Sequence, residues 1–129
     1  MIVNRDSRAL RLTVNLEPGI YRLDNESATG KTRMFNFIRS KMTYMSDFGS
    51  FTYQDYLAGL DITKFIKLGK HKVAFFDRYD MYAGEYTNFI KEFSKNGIVL
   101  LDLKRTFQTD MNIKFAYTKL GENYVEVGR

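Results

Sequence analysis

The chain has 129 residues and a mass of 15.1 kDa, which is enough for one domain with a single core and too little for two. It is 44% hydrophobic and 16% aromatic and contains no cysteine, so disorder, disulfides, thiolate metal sites and cysteine nucleophiles are excluded together. A net charge of +5 and a pI near 9.4 favour anionic partners, nucleic acid among them, although a solvated basic surface accounts for the same excess.

In chain order, "ALRLTVNL" (9–16) places Leu10, Leu12, Val14 and Leu16 on one side of a half-buried strand. Glu17-Pro18-Gly19 is a turn, and "IYRLD" (20–24) a second strand. "TRMFNFIRSKM" (32–42) spaces Phe35, Ile38 and Met42 for a helix, while 45–52 reads as a loop or as a short strand at "SFTY". Residues 53–67 carry Tyr53, Tyr56, Leu57, Leu60 and Ile66 near one stripe, a helix weakened by Gly59. "KVAFFD" (72–77) is a continuous apolar run. Residues 81–97 repeat Tyr82, Tyr86, Phe89, Ile90 and Phe93 at helical spacing and stop at Asn96-Gly97. "IVLLDL" (98–103) is a second apolar run, and two short alternating strands, "IKFAYT" and "YVEV", follow a polar connector.

Continuous apolar strands between amphipathic helices predict an α/β domain over 1–129, its mostly parallel sheet flanked by helices. The alternating terminal segments predict antiparallel edge strands. No apolar run approaches the roughly 20 residues of a membrane span. The opening "MIVNRDSRALRL" is broken by charges, so no secretory signal is expected and a bacterial or phage cytoplasm is. His71, the single histidine, leaves a zinc site or a Ser-His-Asp triad little to work with.

Asn25-Glu26-Ser27-Ala28-Thr29-Gly30-Lys31-Thr32 stands between the second strand and the first helix. A loop of this kind turns its N–H groups and the helix N-terminus toward one spot, which favours an anion there. Gly30 allows close backbone approach. The stretch resembles the phosphate-binding loop of P-loop NTPases, G-x-x-x-x-G-K-[ST], in every position but the first, where asparagine replaces glycine and tolerates a left-handed turn. Val73-Ala74-Phe75-Phe76-Asp77 resembles the second motif of that superfamily, a carboxylate closing an apolar strand. The lead-in to the loop is similar to that of ABC-type and AAA-type ATPase domains, without their helical insertion, signature sequence or lid.

The resemblance implies a compact P-loop fold that binds ATP or GTP with Mg²⁺. Lys31 and the backbone of residues 25–32 would cradle the phosphates, with Thr32 and Asp77 at the metal. A catalytic acid is expected directly after Asp77, but Arg78 stands there. The nearest acid, Asp80, either serves as the base or caps the next helix. Asp102 falls where related ATPases sense the γ-phosphate, and Lys104 and Arg105 either stabilise phosphate charge or are solvated. A partner protein or a second copy can complete such a site. Two other readings stand beside this one: a non-catalytic interaction protein of the same descent, and a basic nucleic-acid-binding module of a phage or mobile element. Tyr53, Tyr56, Tyr79, Tyr82 and Tyr86 either stack on bases or fill the rim of the core.

Overall fold

In the computed structural model, residues 1–6, 10–23, 36, 38, 39 and 47–129 are described. Eight strands form one sheet: β1 (Ile2–Asp6), β2 (Arg11–Asn15), β3 (Gly19–Leu23), β4 (Phe48–Phe51), β5 (Val73–Phe76), β6 (Ile98–Leu101), β7 (Ile113–Leu120) and β8 (Tyr124–Gly128). Their order across the sheet is β1-β2-β8-β7-β3-β6-β5-β4. Pairing is antiparallel for β1–β2 and β7–β8, and parallel for β2–β8, β7–β3, β3–β6, β6–β5 and β5–β4.

The expected α/β sheet of P-loop type, mostly parallel and flanked by helices, is therefore corrected, not in its five parallel pairings of seven but in its shape and its helical flanks. The sheet is mixed and curls into a half-barrel, and among the described residues strand predominates over helix. Among the described residues the bounded helices are short: α1 (Tyr53–Leu57), α2 (Thr87–Ser94), and 3-10 turns at Ile62–Lys64 and Tyr79–Tyr82. The terminal strands are not trimmings on a parallel sheet. With β1, β2, β7 and β8 they make up half of it.

Local chemistry explains why the long helical patterns break. Thr52 and Asp55 form a reciprocal capping box that starts α1. Gly59, at φ 68, ends it in a Schellman motif, with Gly59 N–H donating to Tyr56 O at 3.0 Å and Leu60 N–H to Asp55 O at 3.1 Å. Asp61 then caps a separate 3-10 turn by accepting from Thr63 N–H. In the 81–97 pattern, Gly84 (φ 93) and Tyr86 (φ 59) are both left-handed, so the helix begins only at Thr87. Asn36, Ile38 and Arg39, within the expected 32–42 helix, are helical.

Two cores lie on opposite faces of the sheet. The first joins Leu12, Val14, Val125, Val127, Tyr21, Leu23, Phe75 and Leu100 with Ile38, which therefore packs on this face. The second joins Ile20, Ala74, Phe76, Val99, Leu101 and Phe51 with Ile66, Tyr82, Ile90 and Phe93, which places α2 and both 3-10 turns on the other face. Of the five tyrosines weighed for base stacking or for the rim of the core, Tyr79 and Tyr82 belong to this second core and Tyr53, Tyr56 and Tyr86 pack against it. Tyr56 and Tyr53 stack on Tyr82 at 5.2 and 6.3 Å, and Tyr79 is fully buried. No helix among the described residues is long and apolar enough to cross a membrane, which says nothing of a β-barrel.

Candidate functional site

Strand register brings the candidate residues to one edge. Arg22 pairs with Leu101, Leu101 with Phe76, and Phe76 with Phe51. The next residue of each strand, Leu23, Asp102, Asp77 and Thr52, therefore forms a row at the carboxyl ends of β3, β6, β5 and β4. Asp77 N–H donates to Phe51 O at 3.0 Å and Asp102 N–H to Phe76 O at 2.9 Å, which fixes that row. Neighbouring strands are about 4.8 Å apart, so Leu23 lies one spacing from Asp102 and roughly 10 Å from Asp77. In open parallel sheets this carboxyl edge is where ligands bind.

Asp77 is half-buried and Asp102 buried at 8% exposure. Burial pushes the Asp77 carboxyl up to about 6, helped by the charge of Asp102 and a hydrogen bond between the two side chains, and opposed by Arg78. Two acid groups in contact prefer to share one proton or to hold a cation between them. Asp102 Oδ2 also accepts from Arg78 N–H at 3.3 Å, which holds that carboxylate from the main chain, while Tyr82 Oη donates to the main-chain carbonyl of Asp77 at 3.1 Å and fixes the backbone there.

Arg78 occupies a left-handed conformation (φ 48, ψ 46), which aims its side chain back toward its own loop. Its Nε and Nη2 donate to the two oxygens of Asp80, each at 3.1 Å. The Asp80 side chain is 1% exposed. Burial alone would raise its pKa, yet the Arg78 hydrogen bonds and charge, with a backbone N–H from Lys104, leave it below the ordinary value. A carboxylate so engaged is a poor acceptor for the proton of an attacking water. Asp80 lies inside the 3-10 turn Tyr79–Tyr82, and the next helix, α2, has Tyr86 at its N-cap and no side-chain cap, so Asp80 is not a helix cap either. Lys104 and Arg105 are exposed on the connector after β6.

Asn25, Glu26, Ser27, Ala28, Thr29, Gly30, Lys31 and Thr32 lie outside the described residues. Among the described residues no group of three or more acidic or histidine side chains converges to hold a metal. What is described at the edge is a hard oxygen pair of the kind that suits Mg²⁺. Asp77 is thus joined to Asp102 by tertiary pairing, whereas Asp80 is joined to Arg78.

Sequence reading missed two features here. The first is Asp102 as the direct partner of Asp77; both were visible as strand-ending acids, but not that the strands are neighbours. The second is Arg39, whose Nη1 and Nη2 donate to Asp55 at 2.8 and 3.2 Å, with Nη1 also donating to Ser50 O at 3.2 Å. Its guanidinium lies 4.5 Å from the Phe65 ring centre. This clamp ties Arg39 to β4 and α1, and no local pattern announces it. No protein-family model, curated protein or solved structure matches this chain.

Proposed function

We propose that the chain binds a purine nucleoside triphosphate with Mg²⁺ at the carboxyl edge of β3, β6 and β5, as a cytoplasmic nucleotide-dependent switch. One observation supports this reading above the others. The Asp77–Asp102 pair stands in the same row as Leu23, the last residue of β3 before the chain runs into Gly30-Lys31-Thr32. The strand that precedes the Gly-Lys-Thr sequence thus ends in the same row as an acidic pair suited to a divalent ion.

In this reading Lys31 and the backbone N–H groups of residues 25–32 bind the phosphates, while the Thr32 hydroxyl and Asp77 face the metal. A bound Mg²⁺ would neutralise phosphate charge. Asp77, protonated in part near pH 6, gives up its proton to take that role, and Asp102 holds it in place. The proposal is for binding and not for turnover, because Asp80 is committed to Arg78. A base or an arginine for hydrolysis would then come from a partner protein or a second copy.

Thermal melts with ATP and GTP, each with and without Mg²⁺, test the reading on the wild type, Lys31→Ala and Asp77→Asn. At 100-fold excess over Kd, binding adds about 2.7 kcal/mol, several degrees in Tm for a domain of this size. Lys31→Ala removes the shift, and Asp77→Asn removes its Mg²⁺-dependent part. Equal melting with and without every nucleotide sinks the proposal.

A further inference from the structure

The half of the sheet formed by β1, β2, β8 and β7 has one covered face and one open face. Val3, Leu12, Val14, Ala116, Val125 and Val127 point into the first core. The alternate residues face outward, and among the described residues no helix packs over them, because α2 and the 3-10 turns cover only the β3–β6–β5–β4 half. Two rings stand on this open face at alternate positions of β7, Phe115 at 51% exposure and Tyr117 at 57%. Two residues along a strand are about 7 Å apart, so the rings form a row and not a single blemish.

The chemistry around the rings is cationic. Arg22 pairs across the ladder with Phe115 and holds its guanidinium 5.1 Å from the ring centre. Tyr117 pairs with Gly128, which leaves the side of the ring without a neighbouring side chain. Beside it lies a cavity of about 400 Å³ lined by Thr13, Asn15, Lys119, Glu126 and Arg129. Near the rings, Lys119 stands opposite Glu126 in the ladder, and Arg22 and Arg129 supply the excess positive charge. Farther out, Arg11 and Asp6 neutralise each other at 3.1 Å.

We propose that this open face binds single-stranded nucleic acid, with Phe115 and Tyr117 stacking on bases while Arg22, Lys119 and Arg129 meet the phosphates. Exposed rings among cations on an open sheet are a stacking platform in an electrostatic groove. Charge complementarity selects this occupant over a second copy of the chain. A two-fold contact would set the same excess of cations against itself, whereas a polyanion neutralises it and releases counterions. The inference does not depend on nucleotide binding at the carboxyl edge.

Fluorescence anisotropy of a fluorescein-labelled oligo(dT) of about 12 nucleotides with the full chain tests it; that length fits an ordinary single-strand site. Binding is expected at low salt and should weaken steeply as salt rises. Tyr117→Ser and Phe115→Ser should each weaken it about tenfold. Tyr117→Phe and Lys31→Ala should retain it, and unchanged melting temperatures establish that the exposed substitutions leave the fold intact. Three results overturn the proposal. One is no binding at low salt, or binding indifferent to both rings. Another is a concentration-dependent dimer in light scattering that the serine variants dissolve. The third is oligonucleotide binding that Lys31→Ala abolishes.

Discussion

Replacing Asp77 by asparagine should make the ligand-free protein more stable at pH 8. The Asp77 carboxyl moves from an ordinary 3.8 to about 6 on folding, through burial first and the neighbouring Asp102 second. The folded chain therefore holds this proton more tightly than the unfolded chain. Between about pH 4 and 6 the native state binds more protons, so stability falls as pH rises through that window and stays lower above it. At about 1.4 kcal/mol per tenfold in proton affinity the full effect is about 3 kcal/mol. Asp77 is only half-buried, and solvent screening reduces this to about 1–2 kcal/mol. Asparagine keeps the shape and removes the ionisation. Asp77→Asn should thus melt several degrees above the wild type at pH 8 and match it near pH 4. Thermal melts by circular dichroism at half-unit pH steps from 3.5 to 8 read the difference. A variant less stable than wild type at pH 8, or a gap independent of pH, would refute the assignment of strain to the acid pair. Mg²⁺ with nucleotide should reverse the ordering at pH 8, because the wild type then gains a ligand that the variant holds less well.

Arg39→Ala should lower stability by about 2–3 kcal/mol in urea unfolding at pH 7. It strands the Asp55 carboxylate at 8% exposure while Arg39 itself is 29% exposed, short of a fully buried pair. Asp55→Asn should lose less than Arg39→Ala, since the amide oxygen still accepts from Thr52 N–H; equal losses would argue against the ion pair. Gly49→Ala should destabilise by about 2–3 kcal/mol in the same assay, because a Cβ there would sit 2.5 Å from His71 Nδ1 and 2.6 Å from the Phe65 carbonyl oxygen. A neutral result would mean that β4 and the 65–71 loop separate easily.

Most strands were legible as strands because their patterns are local. Leu12 and Val14 alternate as a half-buried strand must, and "VAFF" and "IVLL" are apolar throughout because both of their faces are covered. β1 was not distinguished as a strand of its own within the extended N-terminal stretch, since Ile2 and Val3 sit among charged and polar residues and pair only with β2. The two long helical patterns were overread. Their periodicity is real, and Tyr82, Ile90 and Phe93 share one core, but left-handed turns at Gly59, Gly84 and Tyr86 divide the segments. A face can be periodic without the backbone between its members being one helix. Of the five tyrosines weighed for stacking, Tyr79 and Tyr82 are buried and Tyr53, Tyr56 and Tyr86 half-buried at the core's rim, whereas the more exposed rings, Phe115 and Tyr117, looked like ordinary strand residues.

The sequence by itself determined which segments are extended, that an acid ends each of two apolar strands, and that a Gly-Lys-Thr follows a third. These depend on neighbours within a few positions, where side-chain period and turn chemistry act directly. Only the tertiary structure decided that the sheet is mixed and curled, that β6 lies between β3 and β5, and that Asp102 therefore stands beside Asp77. Strand order is set by which faces can be buried together across the whole chain. The raised carboxyl, the Arg78–Asp80 pairing and the open aromatic face all follow from that order.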